Sequence, residues 1–332
     1  MDTTNPRVDT LIQALPYIQR FAGTTMVIKF GGNAMSDESL TGNFARDVVL
    51  LHSVGIHPIV VHGGGPQIRQ HLSRLKMETA FVDGHRVTDA PTLEVVRMVL
   101  VGKVNREIVG AINAHGEFAI GLSGEDAGLL KVVPRHPALG FVGDVSRVNS
   151  QVLRKLISEG FIPVIASIGV DAAGQAYNIN ADLVAGAIAG ALSAEKLIML
   201  TDVDGLLAEV SDPTSRIAKV SVAELEDFVA SGRASEGMLP KLEACMIAAE
   251  GGAVSAHLIN GTQPHALLVE IFTDAGAGTM IVSDSAQAQQ IPGDGSWFKA
   301  PVSITEVLDS DSIIFSPDLA RAQPNPDDSD GA

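Results

Sequence analysis

The sequence predicts an α/β fold with an open, mostly parallel central sheet and helices on both faces. Three observations carry that expectation. Short β-branched apolar runs alternate with longer helical patterns, the order that builds βαβ units. Most of the short runs, such as MVIKF, PIVV and IPVIA, are continuously apolar, as strands covered on both faces are. Glycines gather where those runs end.

Along the chain, residues 8–21 carry Leu11, Leu15 and Ile18 at helical spacing, with Ile12 beside them. Pro16 falls inside this pattern and predicts a kink, because proline lacks an N–H and crowds the preceding turn. The helix either packs on its own domain or reaches a neighbouring subunit, and the pattern supports both. Residues 25–30 form the first strand. Ser36 or Asp37 caps a helix running toward Val54, and Gly55 stops it. Further strands are predicted at 56–61, 118–122, 162–168, 196–200, 256–259 and 279–282. Asp89 caps a long helix that ends near His115, with Gly116 just beyond. Residues 140–149 combine glycines with short valine runs and read as a β-hairpin inserted in the framework. Residues 181–192 form a small-residue helix. Ser221 and Glu224 make a capping box for the next helix, and residues 239–250 form another, closed by Gly251 and Gly252.

Composition narrows the function. The chain has 332 residues, 39 acidic and 23 basic side chains and a formal net charge of -16. Gripping a nucleic-acid backbone requires clustered Lys and Arg, so this balance argues against a nucleic-acid partner. A hydrophobic share of 46% argues against general disorder. The single cysteine, Cys245, excludes an internal disulfide framework and a cysteine-based metal site, and fits a reducing compartment. No apolar run approaches the roughly 20 residues needed to span a bilayer, and no basic segment followed by an apolar one marks a leader. The expectation is a soluble cytoplasmic protein of one large or two ordinary domains, with no membrane partner. Residues 285–332 hold eight acids against Lys299 and Arg321, a net of -6, and read as a solvated, partly disordered tail.

The candidate chemistry lies in the glycine clusters. They are Gly31-Gly32-Asn33 after Lys29, Gly63-Gly64-Gly65 after His62, and Gly121 to Asp126. In an open parallel sheet, ligands sit outside the carboxyl ends of strands. Glycines there let backbone N–H groups approach an anion. The chain lacks G-x-x-x-x-G-K-[ST], G-x-G-x-x-G and the protein-kinase set, so phosphate chemistry needs another scaffold. Lys29 ends an apolar strand, where an unpaired ammonium is costly. Lys241 follows Pro240 at a helix start, where a cation opposes the helix dipole unless an anion binds nearby. Together the two lysines and the loop amides make a clamp for a transferring phosphoryl group. Asn178 and Asp182 flank a helix start. Either Asn180 or Asp182 caps that helix, or Asn178 binds a polar substrate group and Asp182 orients the lysines. Arg86 is a turn arginine or a bidentate carboxylate binder. Thr201 to Gly205 follow a strand, where two acids mark a turn or a metal site. No histidine pair has metal-ligand spacing, and no protein-bound metal is assigned.

Taken as a set, KFGGNAM, VVHGGGPQI, GHRVT, GLSGEDA, NINAD, LTDVDGL, GMLPK and EIFTDAGAGTM resemble the acetylglutamate kinases of the amino acid kinase family. The resemblance runs in order from about residue 8 to residue 282. It implies a three-layer αβα sandwich in two lobes. An acceptor-binding and dimerisation lobe would cover 24–192 and an ATP-binding lobe 193–284. A kinked helical arm would precede them at 1–23, and an acidic extension without family counterpart would follow at 285–332. The implied reaction is ATP-dependent phosphorylation of the side-chain carboxylate of N-acetyl-L-glutamate, a step toward arginine.

By position in the motifs, Lys29 and Lys241 match the family's phosphate lysines, and Asp182 matches its organising aspartate. Gly64, Gly65, Arg86 and Asn178 match the acceptor site, and Gly32 matches a loop amide facing the phosphates. Thr201, Asp202, Val203, Asp204 and Gly205, with the stretch 233–237, match the nucleotide region. Mg2+ is implied as the companion of ATP, held chiefly by phosphates and water. Arginine-inhibited members carry a kinked helix that interlaces dimers into a hexamer, and residues 8–21 are similar to it. Tyr17, Lys196, His257, Glu270 and Gly276 match their arginine site, so L-arginine inhibition and a homo-hexamer are expected. A nitrogen-signalling protein partner stays unidentified. The rival readings are a related kinase acting on acetylaminoadipate, glutamate or aspartate, and a non-catalytic arginine-sensing protein. Retention of both lysines argues against the second. A nicotinamide-dependent enzyme is disfavoured by the missing glycine fingerprint.

Overall fold

The structure is a computed structural model that describes residues 6–35, 37–82, 85–209, 212, 214–235, 237–274 and 276–282. Ser36 as a cap, Gly84 in the turn before Arg86, and the tail 285–332 lie outside the described residues. In chain order the elements are α1 (Pro6–Phe21), β1 (Thr25–Phe30), α2 (Glu38–Ser53), β2 (His57–His62), α3 (Gly65–Arg74), β3 (Phe81–Val82), β4 (His85–Arg86), α4 (Ala90–Arg97), α5 (Asn105–Asn113), β5 (Ala119–Ser123), β6 (Leu130–Pro134) and β7 (Gly143–Val148). They continue with α6 (Ser150–Ser158), β8 (Ile162–Ala166), β9 (Ile168–Val170), β10 (Ala176–Asn178), α7 (Ala181–Ala191), β11 (Lys196–Thr201), β12 (Lys219–Ser221), α8 (Val222–Ala230), α9 (Leu239–Glu250), β13 (Ser255–Asn260), α10 (Ala266–Phe272) and β14 (Gly278–Val282).

Eight strands make one sheet in the order β12-β14-β13-β11-β1-β2-β8-β5. Its pairs are parallel except β13 with β14. Because successive side chains point to opposite faces, each apolar strand feeds two cores. Val27, Ile59, Ile165 and Met199 meet Val184 and Ile188 of α7 and Leu242 of α9 on one face. Met26, Ile28, Val60 and Val164 meet Val48 and Leu51 of α2, Ile108 of α5 and Ile271 of α10 on the other. The result is three layers, helix on sheet on helix. Continuously apolar strands follow from this double cover.

The predicted caps form where their chemistry requires. Asp37 accepts a hydrogen bond from Ser39 N at 2.7 Å, and Asp89 accepts one from Thr92 N at 2.9 Å. The Ser221–Glu224 capping box is reciprocal. Gly55 follows α2 with φ +87, a conformation that suits glycine. Every residue of α7 is buried, which its all-round small apolar sequence allows. It lies close on α9, since a Cβ on Gly186 would run into the Ala244 carbonyl. Pro16 lies inside α1, which stays helical on both sides of it.

Three elements differ from the sequence reading. The helix that starts at Asp89 contains a π-helical segment, Met98–Val104, between α4 and α5. The wider turn shifts the buried face without breaking the helix, so apolar spacing hides it. The run 162–168 is two strands. β8 ends at Ala166, and β9 turns into a second sheet ordered β10-β9-β6-β7. Both halves are buried, so hydropathy does not mark the change of sheet. The hairpin placed at 140–149 has its arms at β6 and β7, with a short turn at Pro137–Leu139 between them. Only the second arm falls in the predicted segment, because Gly140 belongs to the connection and Gly143 already opens β7.

Candidate active site

β1 and β2 are neighbours, so the first two glycine clusters stand side by side at their carboxyl ends. A Cβ on Gly31 would lie 3.0 Å from Lys29 Nζ and 3.7 Å from Gly63 N. Gly32 has φ +67 with open space around it, so its backbone conformation, not crowding, calls for glycine. Gly64 is extended, but a Cβ there would press on Leu100 and Val104 of the adjoining helix. Gly65 begins α3, where N–H groups lack intrahelical partners and suit an anion. The third cluster is not part of this arrangement. β5 lies at the sheet edge, and its glycines answer to packing. A Cβ on Gly121 would strike the Asn105 and Arg106 side chains, and one on Gly124 would strike the Ile168 carbonyl.

Asp182 enters from α7. Asn180 caps that helix, accepting a hydrogen bond from Asp182 N at 2.8 Å, which leaves the Asp182 carboxylate free to act elsewhere. Lys29 Nζ stands 2.9 Å from Asp182 Oδ1 and Lys241 Nζ stands 2.9 Å from Oδ2. Asp182 and Lys29 are buried. Burial alone would raise the Asp182 pKa, but the two ammonium groups hold it down to about 2. Two cations share one anion, so the cluster keeps a positive surplus beside the glycine loops. Lys241 sits in the first turn of α9, where the helix dipole disfavours it, and Asp182 offsets that cost.

Arg86 lies on the β3–β4 hairpin and Asn178 on β10. The Arg86 guanidinium is buried, donates to Thr79 Oγ1 at 2.7 Å and lies 4.7 Å over the Phe81 ring. Thr88 joins the two residues, donating to the Arg86 carbonyl at 3.0 Å and accepting from Asn178 Nδ2 at 3.4 Å.

Three further residues brace the loops. His62, at the end of β2, faces Gly63 O at 3.0 Å with Nδ1, while its Nε2 meets Asn105 Nδ2 at 3.0 Å. Asn105 also reaches Val164 O at 2.9 Å and follows directly on the π-helical segment. Burial pulls the His62 pKa down to about 4, so the ring stays neutral. Gln67 Nε2 donates to Met35 O at 3.4 Å and ties the second glycine loop to the first. The His62–Asn105 partnership spans 43 residues of chain, and no local spacing signals it. The buried His at a strand end was the one available hint.

Thr201 to Gly205 form a turn after β11. Thr201 Oγ1 donates to Val203 O at 2.8 Å, and Asn260 Nδ2 donates to Asp204 Oδ1 at 2.8 Å. Asp202, Val203 and Asp204 are exposed. Gly205 has φ +125 and lies against Thr279, so glycine is required there on both counts.

A second polar cluster lies lower in the sheet. Lys196 Nζ meets His257 Nε2 at 3.0 Å, and Ser255 Oγ meets the same nitrogen at 2.9 Å. His257 Nδ1 faces Glu270 Oε1 at 2.6 Å, and Ala277 N donates to Glu270 Oε2 at 2.6 Å. Burial first, then the Lys196 charge, lowers the His257 pKa to about 4. Burial likewise lowers Lys196 to about 8. α1 borders this cluster through Phe21, whose ring lies 5.3 Å from Lys196 Nζ. Tyr17 donates to Asp274, two residues before Gly276, which has φ +60 and adjoins Glu270.

Residues 24–260 match the amino acid kinase family. The chain is similar to the acetylglutamate kinase of Nostoc sp., 53% identical over 277 residues that cover 83% of this chain and 93% of that one. It is similar to the acetylglutamate kinase of Symbiobacterium thermophilum, 52% identical over 282 residues, 82% of this chain and 96% of that one. In fold it is similar to the N-acetylglutamate synthase of Neisseria gonorrhoeae, with a TM-score of 0.73 at 24% identity, and spans 83% of this chain and 63% of that one. The carbamate kinase of Giardia lamblia gives a TM-score of 0.61 at 18% identity, over 80% of this chain and 100% of that one.

Proposed function

The chain belongs to the amino acid kinase family, and we propose that it transfers the γ-phosphoryl group of ATP to the side-chain carboxylate of N-acetyl-L-glutamate. The products are an acyl phosphate and ADP, and the step belongs to arginine biosynthesis. One observation carries the reading: a doubly shared Asp182 holds two lysines beside two glycine loops at the strand ends.

The chemistry needs no general base, because a carboxylate is already a nucleophile near pH 7. The obstacle is bringing two anions together. Lys29 and Lys241 offset their repulsion, and Asp182 fixes both ammonium groups so that little reorganisation accompanies transfer. Gly32, Gly64 and Gly65 supply backbone N–H groups toward the phosphates and the acceptor. Arg86 and Asn178 hold the acceptor, and Thr201, Asp202, Val203, Asp204 and Gly205 border the nucleotide. The acceptor lobe is residues 24–192 and the ATP lobe residues 193–284. Among the described residues no group of three or more His, Cys, Asp or Glu could hold a metal, and both Asp182 oxygens face lysines. These donors do not fit a protein-held ion. Magnesium would enter with ATP, and the charge neutralisation it would supply adds to that of Lys29 and Lys241.

The Lys196–His257–Glu270 cluster, with Tyr17 and Gly276, is the proposed L-arginine site, where Glu270 pairs with the effector guanidinium. Val8, Leu11, Ile12 and Leu15 on α1 are exposed, which supports an arm joining dimers into a homo-hexamer. Among the described residues no helix is long and apolar enough to cross a membrane, and the proposed location is the cytoplasm.

Hydroxylamine trapping with ATP, Mg2+ and a panel of acceptors tests the reaction. N-acetyl-L-glutamate is expected to give an acyl hydroxamate, and its absence would sink the assignment. Deleting residues 1–21 is expected to reduce the particle mass to that of a dimer, and an intact hexamer after deletion would refute the arm.

A further inference from the structure

We propose that Arg69 is a second arginine of the acceptor site and, with Arg86, reads the main-chain carboxylate of the acceptor. The inference rests on the function proposed above and deepens it.

Arg69 lies four residues after Gly65 on α3, so its side chain leans back over the helix start. Its Nη1 comes within 3.8 Å of where a Cβ on Gly65 would stand. On its other side, Arg69 and Thr79 line one open cleft of about 320 Å³, and the Thr79 hydroxyl accepts the Arg86 hydrogen bond at 2.7 Å. Arg69 therefore bridges two parts of the acceptor site, the glycine loop and the buried arginine. Burial first, and then the Arg69 charge, lowers the Arg86 pKa. Among the described residues neither guanidinium forms an ion pair with a carboxylate. Two neighbouring guanidinium groups without a counter-ion repel each other, and an anion placed between them relieves that repulsion.

N-acetyl-L-glutamate carries two carboxylates. The reacting one must face Lys29, which leaves the main-chain carboxylate to be recognised elsewhere. A planar fork on Arg69 is suited to that second group. Arg69 is exposed, and its replacement leaves the core untouched.

The test pairs a residue change with a substrate change. Arg69→Gln is expected to raise KM for N-acetyl-L-glutamate about tenfold, as loss of one charge-assisted hydrogen bond does, with kcat and KM for ATP unchanged. Arg69→Lys, which keeps the charge but not the fork, is expected to fall between. With 4-acetamidobutyrate, the same acceptor without its main-chain carboxylate, Arg69→Gln is expected to leave the weaker activity unaltered. An unchanged KM for N-acetyl-L-glutamate, or an equal rise for both acceptors, overturns the role of Arg69 and leaves the function standing. Failure of the unaltered chain to phosphorylate N-acetyl-L-glutamate overturns the function, and this role with it.

Discussion

Lys29 and Lys196 are both buried lysines on neighbouring parallel strands, yet their surroundings are opposite. Lys29 pairs in register with Met199 and Lys196 with Met26, so the two stand three residues apart along the strands, about 10 Å. Lys29, near the carboxyl end of β1, shares Asp182 with Lys241, and two cations hold one anion. Lys196, at the start of β11, faces a neutral His257 that separates it from Glu270. The first cluster keeps a positive surplus next to open glycine loops. The second is buried and close to neutral. The count of charges and the access to backbone N–H groups decide which lysine can meet an anion, while the residue type alone does not.

Three experiments test that contrast. The largest effect is expected for Lys241→Ala, which should lower kcat by about 10²–10³ if the ammonium acts on charge that develops during transfer. Acceptor KM should change little, and an unchanged kcat in the hydroxamate assay removes the role. Next comes stability. Asp182→Asn takes the single anion from a buried and a half-buried ammonium group and should cost about 3–5 kcal/mol in denaturant unfolding. Glu270→Gln keeps a hydrogen-bonding side chain beside a neutral ring and should cost about 1–3 kcal/mol. Equal losses at both positions would erase the distinction. The smallest effect is a pH slope. Burial holds the Lys196 pKa at about 8 in the folded chain against an ordinary lysine value of 10.5, so between those pH values the unfolded chain binds more protons. Stability should therefore rise with pH across that window, and Lys196→Met should flatten the rise. Parallel curves for the two proteins would show that Lys196 does not titrate as described.

Much of the fold was readable because its signals are local. The run TMVIKF at 25–30 sets β1 residue for residue, Asp37 and Asp89 cap their helices, and Ser221 with Glu224 closes its box. At 162–168 hydropathy marks one strand where the structure has two, because both halves are buried and hydropathy reports burial rather than partner. The π-helical segment was invisible for a related reason, since one residue more per turn leaves the composition unchanged. In the site, Lys29 and Lys241 stood out because each is in a place that disfavours a cation. Asn105 and Arg69 did not stand out, because neither residue is unusual in a helix.

By itself, the sequence determined the alternation of strands and helices, the caps and the glycine loops at strand ends. Each depends on residues within a few positions of one another and on backbone preferences that those residues carry. The tertiary structure alone decided that the first two glycine clusters stand side by side while the third answers to packing. It also decided that Asp182 reaches two lysines, one of them 59 residues away, and that His62 meets Asn105. Those contacts depend on strand order and helix separation, which arise from the packing of the whole sheet and are written in no single segment.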